Sequence, residues 1–121
     1  LKMSLRKELP VKPVLYYYGK RWTSVHHARL RMQCSKLNFD LSCRLNVRDS
    51  PACRCGGARE NASHFFFDCP YYADIRNKLF AAVTKHAACN LETVLFGDEH
   101  LSIDENRIIF DAVHEFIDES N

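Results

Sequence analysis

Apolar side chains recur through the second half of the chain at a period near 3.6 residues, which predicts helices. Behind Ser102, the residues Ile109, Phe110, Val113, Phe116 and Ile117 form one apolar face, and Asp104, Glu105, Asp111, Glu115 and Asp118 supply a wet one. Ser102-x-x-Glu105 is a capping box: the serine oxygen accepts from a free backbone N–H while the glutamate reaches back to the serine N–H. Further upstream, Tyr72, Ile75, Leu79 and Val83 give a stripe that carries a helix from Pro70 to about His86, with the proline at the first position, where its missing N–H costs nothing. Between these two helices, Leu91–Phe96 is a short apolar turn closed by Gly97.

The first half is patterned less regularly. Leu30, Cys34, Leu37 and Leu41 fall at i, i+4, i+7 and i+11 and predict one helix from about Ser24 to Arg44, capped by Thr23 or Ser24. Arg29, Arg31, Lys36 and Arg44 lie mainly off that stripe, on its exposed flank. The run Val14–Tyr18, stopped at Gly19, reads as a short helix, with one strand as the alternative. Residues 1–13 read as a basic arm, because Pro10 and Pro13 break regular structure and Lys2, Arg6, Lys7 and Lys12 favour water. The expected organisation is therefore an arm over 1–13 and one mainly α-helical domain of four or five helices over 14–121.

Periodicity fails altogether over residues 46–63, which hold Pro51, Gly56 and Gly57 and few large apolar groups. A loop of about 18 residues inside a compact domain needs a reason to be ordered. Cys53, Cys55, His64 and Cys69 provide one: they read C-x-C-x8-H-x4-C, a CCHC set. Three thiolates and an imidazole make a closed tetrahedral zinc site of the knuckle type, structural rather than hydrolytic because no coordination position stays open. Gly56 and Gly57 follow the first pair, where the backbone must turn tightly and can turn amide N–H groups toward the sulfurs. The C-x-C half is one residue shorter than the common C-x2-C, so Cys43 or His27 stays open as a replacement for one of the pair. The six cysteines suffice for three disulfides, but no secretory signal precedes them, and an intracellular cysteine cluster beside a histidine is more often a metal site.

Composition adds two points. The 121 residues, 46% hydrophobic and 26% charged, suit one globular domain; no run approaches the ~18 apolar residues of a membrane span, so an intracellular protein of cytoplasm or nucleus, off the membrane, is expected. The opening on Leu1 suggests a fragment of something longer. The net charge of +2 conceals an asymmetry: residues 1–59 hold 13 lysines and arginines against three acids, and residues 60–121 hold four against 12. A basic half of that kind suits a polyanion such as RNA or DNA. Lys20, Arg21, Trp22, Arg29, Arg31, Lys36, Arg44, Arg54 and Arg59 are the candidate contacts, and Tyr16, Tyr17 and Tyr18 beside them either stack bases or fill the core. Catalytic sets are weak: His26 and His27 near Ser24 and Cys34, and His86 near Cys89, lack a placed acid and an oxyanion turn, and no phosphate loop is present.

Taken in order, the basic-aromatic segment, His26-His27-Ala28-Arg29-Leu30-Arg31, Leu37-Asn38-x-Asp40-Leu41, Ser50-Pro51-x-Cys53-x-Cys55-Gly56 and His64-Phe65-Phe66-Phe67-x-Cys69-Pro70-x-Tyr72-x3-Arg76 resemble the C-terminal end of animal non-LTR (LINE-type) retrotransposon reverse transcriptases. The resemblance covers about residues 15–118. It implies a zinc-binding segment downstream of the polymerase, with Cys53, Cys55, His64 and Cys69 as ligands and the basic helix as a grip on template RNA or target DNA. It also implies the polymerase domain of the same polypeptide as a partner. The Tyr/Phe-x-Asp-Asp polymerase motif and the carboxylate sets of an endonuclease or RNase H are absent from these residues, so the segment is expected not to be an enzyme itself. The runner-up reading is a zinc-stabilised protein–protein adaptor derived from a decayed element, binding through its acidic helix.

Overall fold

A computed structural model describes Val11 and residues 16–121. Four α-helices carry the fold: α1 (Arg21–Arg31), α2 (Ala73–Val83), α3 (Leu91–Phe96) and α4 (Ile103–Glu119). Two five-residue π-helical turns, Asp40–Arg44 and His64–Asp68, and a 3-10 turn, Pro70–Tyr72, complete the regular structure, and no strand occurs among the described residues. The mainly α expectation therefore holds.

The centre is α4. Its expected apolar face, Ile109, Phe110, Val113, Phe116 and Ile117, is buried throughout, and it packs against α2 through Leu79 and Val83 and against α1. The capping box forms as read, with Ser102 Oγ accepting from Glu105 N–H at 3.1 Å and Glu105 accepting from Ser102 N–H at 3.1 Å. Phe65 and Phe66 enter the core from the segment after the loop, with ring centres 5.1 and 5.2 Å from that of Phe116.

The turn from α3 into α4 is fixed by a buried Asn106, a residue the hydrophobic pattern gives no reason to single out. Its Oδ1 accepts from Asp98 N–H (2.8 Å) and its Nδ2 donates to Asp98 O (2.9 Å) and Ser102 O (3.1 Å). Gly97 closes α3 at φ +77°, and a Cβ there would fall 2.7 Å from Asn106 Oδ1 and 2.9 Å from Val11. Only glycine meets both the left-handed backbone and that close approach.

Three expectations are corrected. First, the helix expected over Ser24–Arg44 ends at Arg31. Gln33 turns left-handed (φ 58°), and Asp40 then accepts from Ser35 N–H (3.1 Å) and Ser35 Oγ–H (2.6 Å), which starts a separate turn at residues 38–44. Short polar side chains that bond nearby backbone favour helix ends over interiors, and here they override the apolar spacing. Second, Arg31 is not on an exposed flank: it is 4% exposed. Third, Val11 of the expected arm is buried in the core; the rest of residues 1–13, together with Val14 and Leu15 of the expected short helix, lies outside the described residues.

Arg31 has no carboxylate partner among the described residues, so its environment must hold the charge in other ways. Its Nε donates to Leu95 O, its Nη2 donates to His27 Nδ1 at 2.9 Å, and its guanidinium lies 4.3 Å from the Tyr16 ring centre. Burial lowers its pKa to about 10, which leaves it charged at neutral pH. The tautomers follow. His27 Nε2 sits 2.8 Å from Val94 O and must carry the proton, so Nδ1 is an acceptor, shared by Arg31 and by His114 Nε2–H at 3.1 Å. Protonating His27 would set three donors against one another.

Both imidazoles are accordingly held neutral. Burial, then the Arg31 charge, holds His27 well below the ordinary histidine value and takes His114 down to about 4, with Asp111 opposing the shift at His114. Unfolded histidines take up protons near pH 6.5 and these two do not, so the unfolded state binds more protons below that pH and stability falls from about 6.5 toward 4. Melting temperatures measured over that range should decline less steeply for His114→Phe than for the parent chain. Equal slopes would contradict a neutral buried pair.

Candidate metal centre

The one segment without a core is built around its cysteines. Cys53 N–H donates to Gly57 O (2.9 Å) and Gly56 N–H to Cys53 O (3.0 Å), a tight turn that brings Cys53 and Cys55 round to one side. Gly56 takes φ +96° there, the left-handed region. Gly57 N–H lies 3.4 Å from Cys55 Sγ, the amide-to-sulfur contact expected of such a turn. The other two donors come from the next element. Asn61 Oδ1 accepts from His64 N–H at 2.9 Å and starts the π turn, and Cys69 N–H closes it on His64 O at 2.8 Å.

The ligand atoms of Cys53, Cys55, His64 and Cys69 all lie within 4.8 Å of one another. Cys53 Sγ and Cys69 Sγ are 3.8 Å apart, and Cys55 Sγ and His64 Nε2 are 3.3 Å apart. Sulfurs about 2.3 Å from a tetrahedral metal are separated by about 3.8 Å, far longer than the ~2.05 Å of a disulfide. The cluster therefore fits a four-coordinate metal ion. Cys53 and Cys69 are buried, and Cys55 and His64 are half-buried. Burial pushes the Cys53 thiol pKa up, whereas the Gly57 N–H draws that of Cys55 down.

The alternatives for the short C-x-C half do not join this group. Cys43 is exposed, and His27 is committed to Val94, Arg31 and His114. Cys34 and Cys89 are half-buried and free.

Residues to which the sequence pattern assigns no role hold the cluster in place. Arg76 donates from Nη2 to Cys69 O (2.6 Å) and from Nε to Phe66 O (2.8 Å), which fixes the end of the π turn to α2. Glu60 accepts from Asn38 N–H (2.8 Å), its backbone accepts from Phe39 N–H (3.0 Å), and Asn38 Nδ2 donates to Ala52 O (2.8 Å). These bonds join the loop to the segment after α1. A glutamate and an asparagine 22 positions apart carry no spacing signal that would pair them.

The candidate nucleic-acid contacts are scattered. Lys20 is ion-paired with Asp118 on α4 (3.0 Å) and Arg44 with Asp40 (3.6 Å), while Arg31 is interior. Arg21, Arg29, Lys36, Arg54 and Arg59 are exposed. Trp22 is half-buried, its ring in edge contact with His26 (4.3 Å) and under Lys36 Nζ (5.3 Å); Arg54 covers the exposed Tyr71 ring at 4.7 Å. Of the three tyrosines, Tyr16 is core and Tyr18 donates to Asp111 at 2.6 Å, whereas Tyr17 stands in solvent. No helix among the described residues is long and apolar enough to cross a membrane. The chain matches no family model, no curated protein and no solved structure among known proteins.

Metal removal tests the centre. A strong chelator should unfold at least residues 46–72, seen as loss of amide protection there. Alanine at Cys53, Cys55, His64 or Cys69 should abolish metal retention, and alanine at Cys34, Cys43 or Cys89 should not. Gly57→Ala would place a methyl 2.9 Å from His64 Cε1 and should weaken retention without removing a ligand. Full metal content in Cys55→Ala or His64→Ala would refute this ligand set.

Proposed function

We propose that the chain is a zinc-stabilised nucleic-acid-binding module of the kind found at the C-terminal end of non-LTR retrotransposon reverse transcriptases, gripping template RNA or target DNA and not itself catalytic. The observation that carries the metal part is the convergence of three thiols and one imidazole nitrogen within 4.8 Å. That donor set, soft and tetrahedral, suits zinc above the other common divalent ions. Four protein ligands would fill the coordination shell, so the metal's contribution is to folding, and Cys53, Cys55, His64 and Cys69 hold it.

The nucleic-acid part rests on the excess positive charge before residue 60 and on basic groups seated on aromatic rings, Lys36 on Trp22 and Arg54 on Tyr71. Cation and ring together suit an unpaired strand, whose phosphates take the charge and whose bases take the ring. One feature favours the adaptor reading as second choice. Ile108 stands exposed on α4 in register with Asp104, Asp111 and Glu115, an acidic face with an apolar centre that a partner helix or groove would cover.

The two readings part on salt. Every phosphate that the protein neutralises steepens the fall of log K with log salt by about 0.7 on single strands and about 0.9 on duplex. Fluorescence anisotropy with labelled RNA and DNA should show Arg29→Glu and Arg21→Glu each lowering affinity and flattening the slope by about one phosphate, with Glu115→Lys lowering neither. Affinity indifferent to salt and to these substitutions would leave the adaptor as the better account.

A further inference from the structure

Between α1 and the segment after it, the metal loop, and Ser120 and Asn121 just past α4 lies a cavity of about 320 Å³. That is the lower end of the range for small-ligand pockets, about 300–1,000 Å³, and the size of one nucleotide rather than a helix. Leu37, Phe65 and Tyr72 give it apolar walls, the last two rings in edge contact at 5.3 Å. Lys36 and Arg54 supply its basic side, and His26, whose pKa burial and then the Lys36 charge lower, adds a neutral imidazole.

The two cations at this cavity combine freedom from carboxylates with support from an aromatic ring. Lys20, Arg44 and Lys78 are each paired with a carboxylate. Lys36 and Arg54 have no carboxylate partner among the described residues; each is steadied instead by a ring, Trp22 and Tyr71. The one acidic side chain on the wall, Glu60, is directed elsewhere, toward Asn38 N–H and the Cys53 sulfur. Arg54 sits between two cysteines of the metal cluster, so the loop that the cluster orders also places this guanidinium.

We propose that the cavity takes one unpaired nucleotide of a bound single strand, its phosphate held between Lys36 and Arg54 and its base against Phe65 and Tyr72. The proposal rests on the nucleic-acid reading and adds the subsite at which that strand is held.

The test is an NMR titration of the metal-loaded chain with adenosine 5′-monophosphate, and separately with inorganic phosphate and with adenosine, alongside anisotropy with a single strand of about 12 nucleotides. Saturable shifts at the Leu30 and Leu37 methyls are expected with the monophosphate, and affinities weaker by about tenfold or more with either half alone. Lys36→Gln and Arg54→Gln should each weaken the monophosphate by about tenfold at unchanged metal content and melting temperature, and should weaken the strand in parallel. Salt-dependent strand binding without saturable monophosphate shifts would overturn the subsite and leave the nucleic-acid reading standing. Saturable monophosphate binding without strand binding would overturn both in favour of a free-nucleotide site. Shifts spread equally over Arg21 and Arg29 would reduce the cavity to general surface charge and overturn the proposal.

Discussion

Between residues 46 and 61 only Cys53 is buried, and ordering each residue of such a loop costs about 1–2 kcal/mol of backbone entropy. Apolar burial cannot offset that. What draws the segment together is the convergence of Cys53, Cys55, His64 and Cys69, two donors from the loop and two from the π turn that follows it. With zinc bound, as proposed, such sites contribute about 10–16 kcal/mol of apparent binding free energy, comparable to the stability of a whole domain. Phe65 and Phe66 directly follow the histidine and enter the core against Phe116 of α4, so the cluster anchors loop and helices to each other.

The same loop determines what the basic half presents. Its bonds to Asn38 and Phe39 fix the segment after α1, and with it Lys36; its own turn carries Arg54. Across the two halves, Lys20 is paired with Asp118. Lys36 and Arg54, beside the metal loop, have no carboxylate partner among the described residues, so part of the charge asymmetry read along the chain survives on that face.

Legibility in the sequence follows the range of the interactions. The capping box, the apolar face of α4 and the His64-x4-Cys69 half of the cluster depend on neighbours within a few positions, and each is readable. The end of α1 is not, because the apolar spacing of Leu30, Cys34 and Leu37 continues across a break made by Gln33, Ser35 and Asp40. Arg31 is misplaced by its pattern for a related reason: its partners are Leu95, 64 positions away, and a histidine whose acceptor nitrogen is defined only once Val94 and His114 are in place. Asn106 and Arg76 likewise act on backbone groups, whose placement residue types do not record.

As proposed, three sulfurs and one imidazole nitrogen hold a single zinc ion on which the loop depends. X-ray absorption at the zinc edge, on the chain purified with its metal, addresses this proposal most directly. Three sulfurs at about 2.3 Å and one nitrogen at about 2.0–2.1 Å, with no coordinated water, are the expected ligands. A shell containing oxygen, or fewer than three sulfurs, would contradict the proposal.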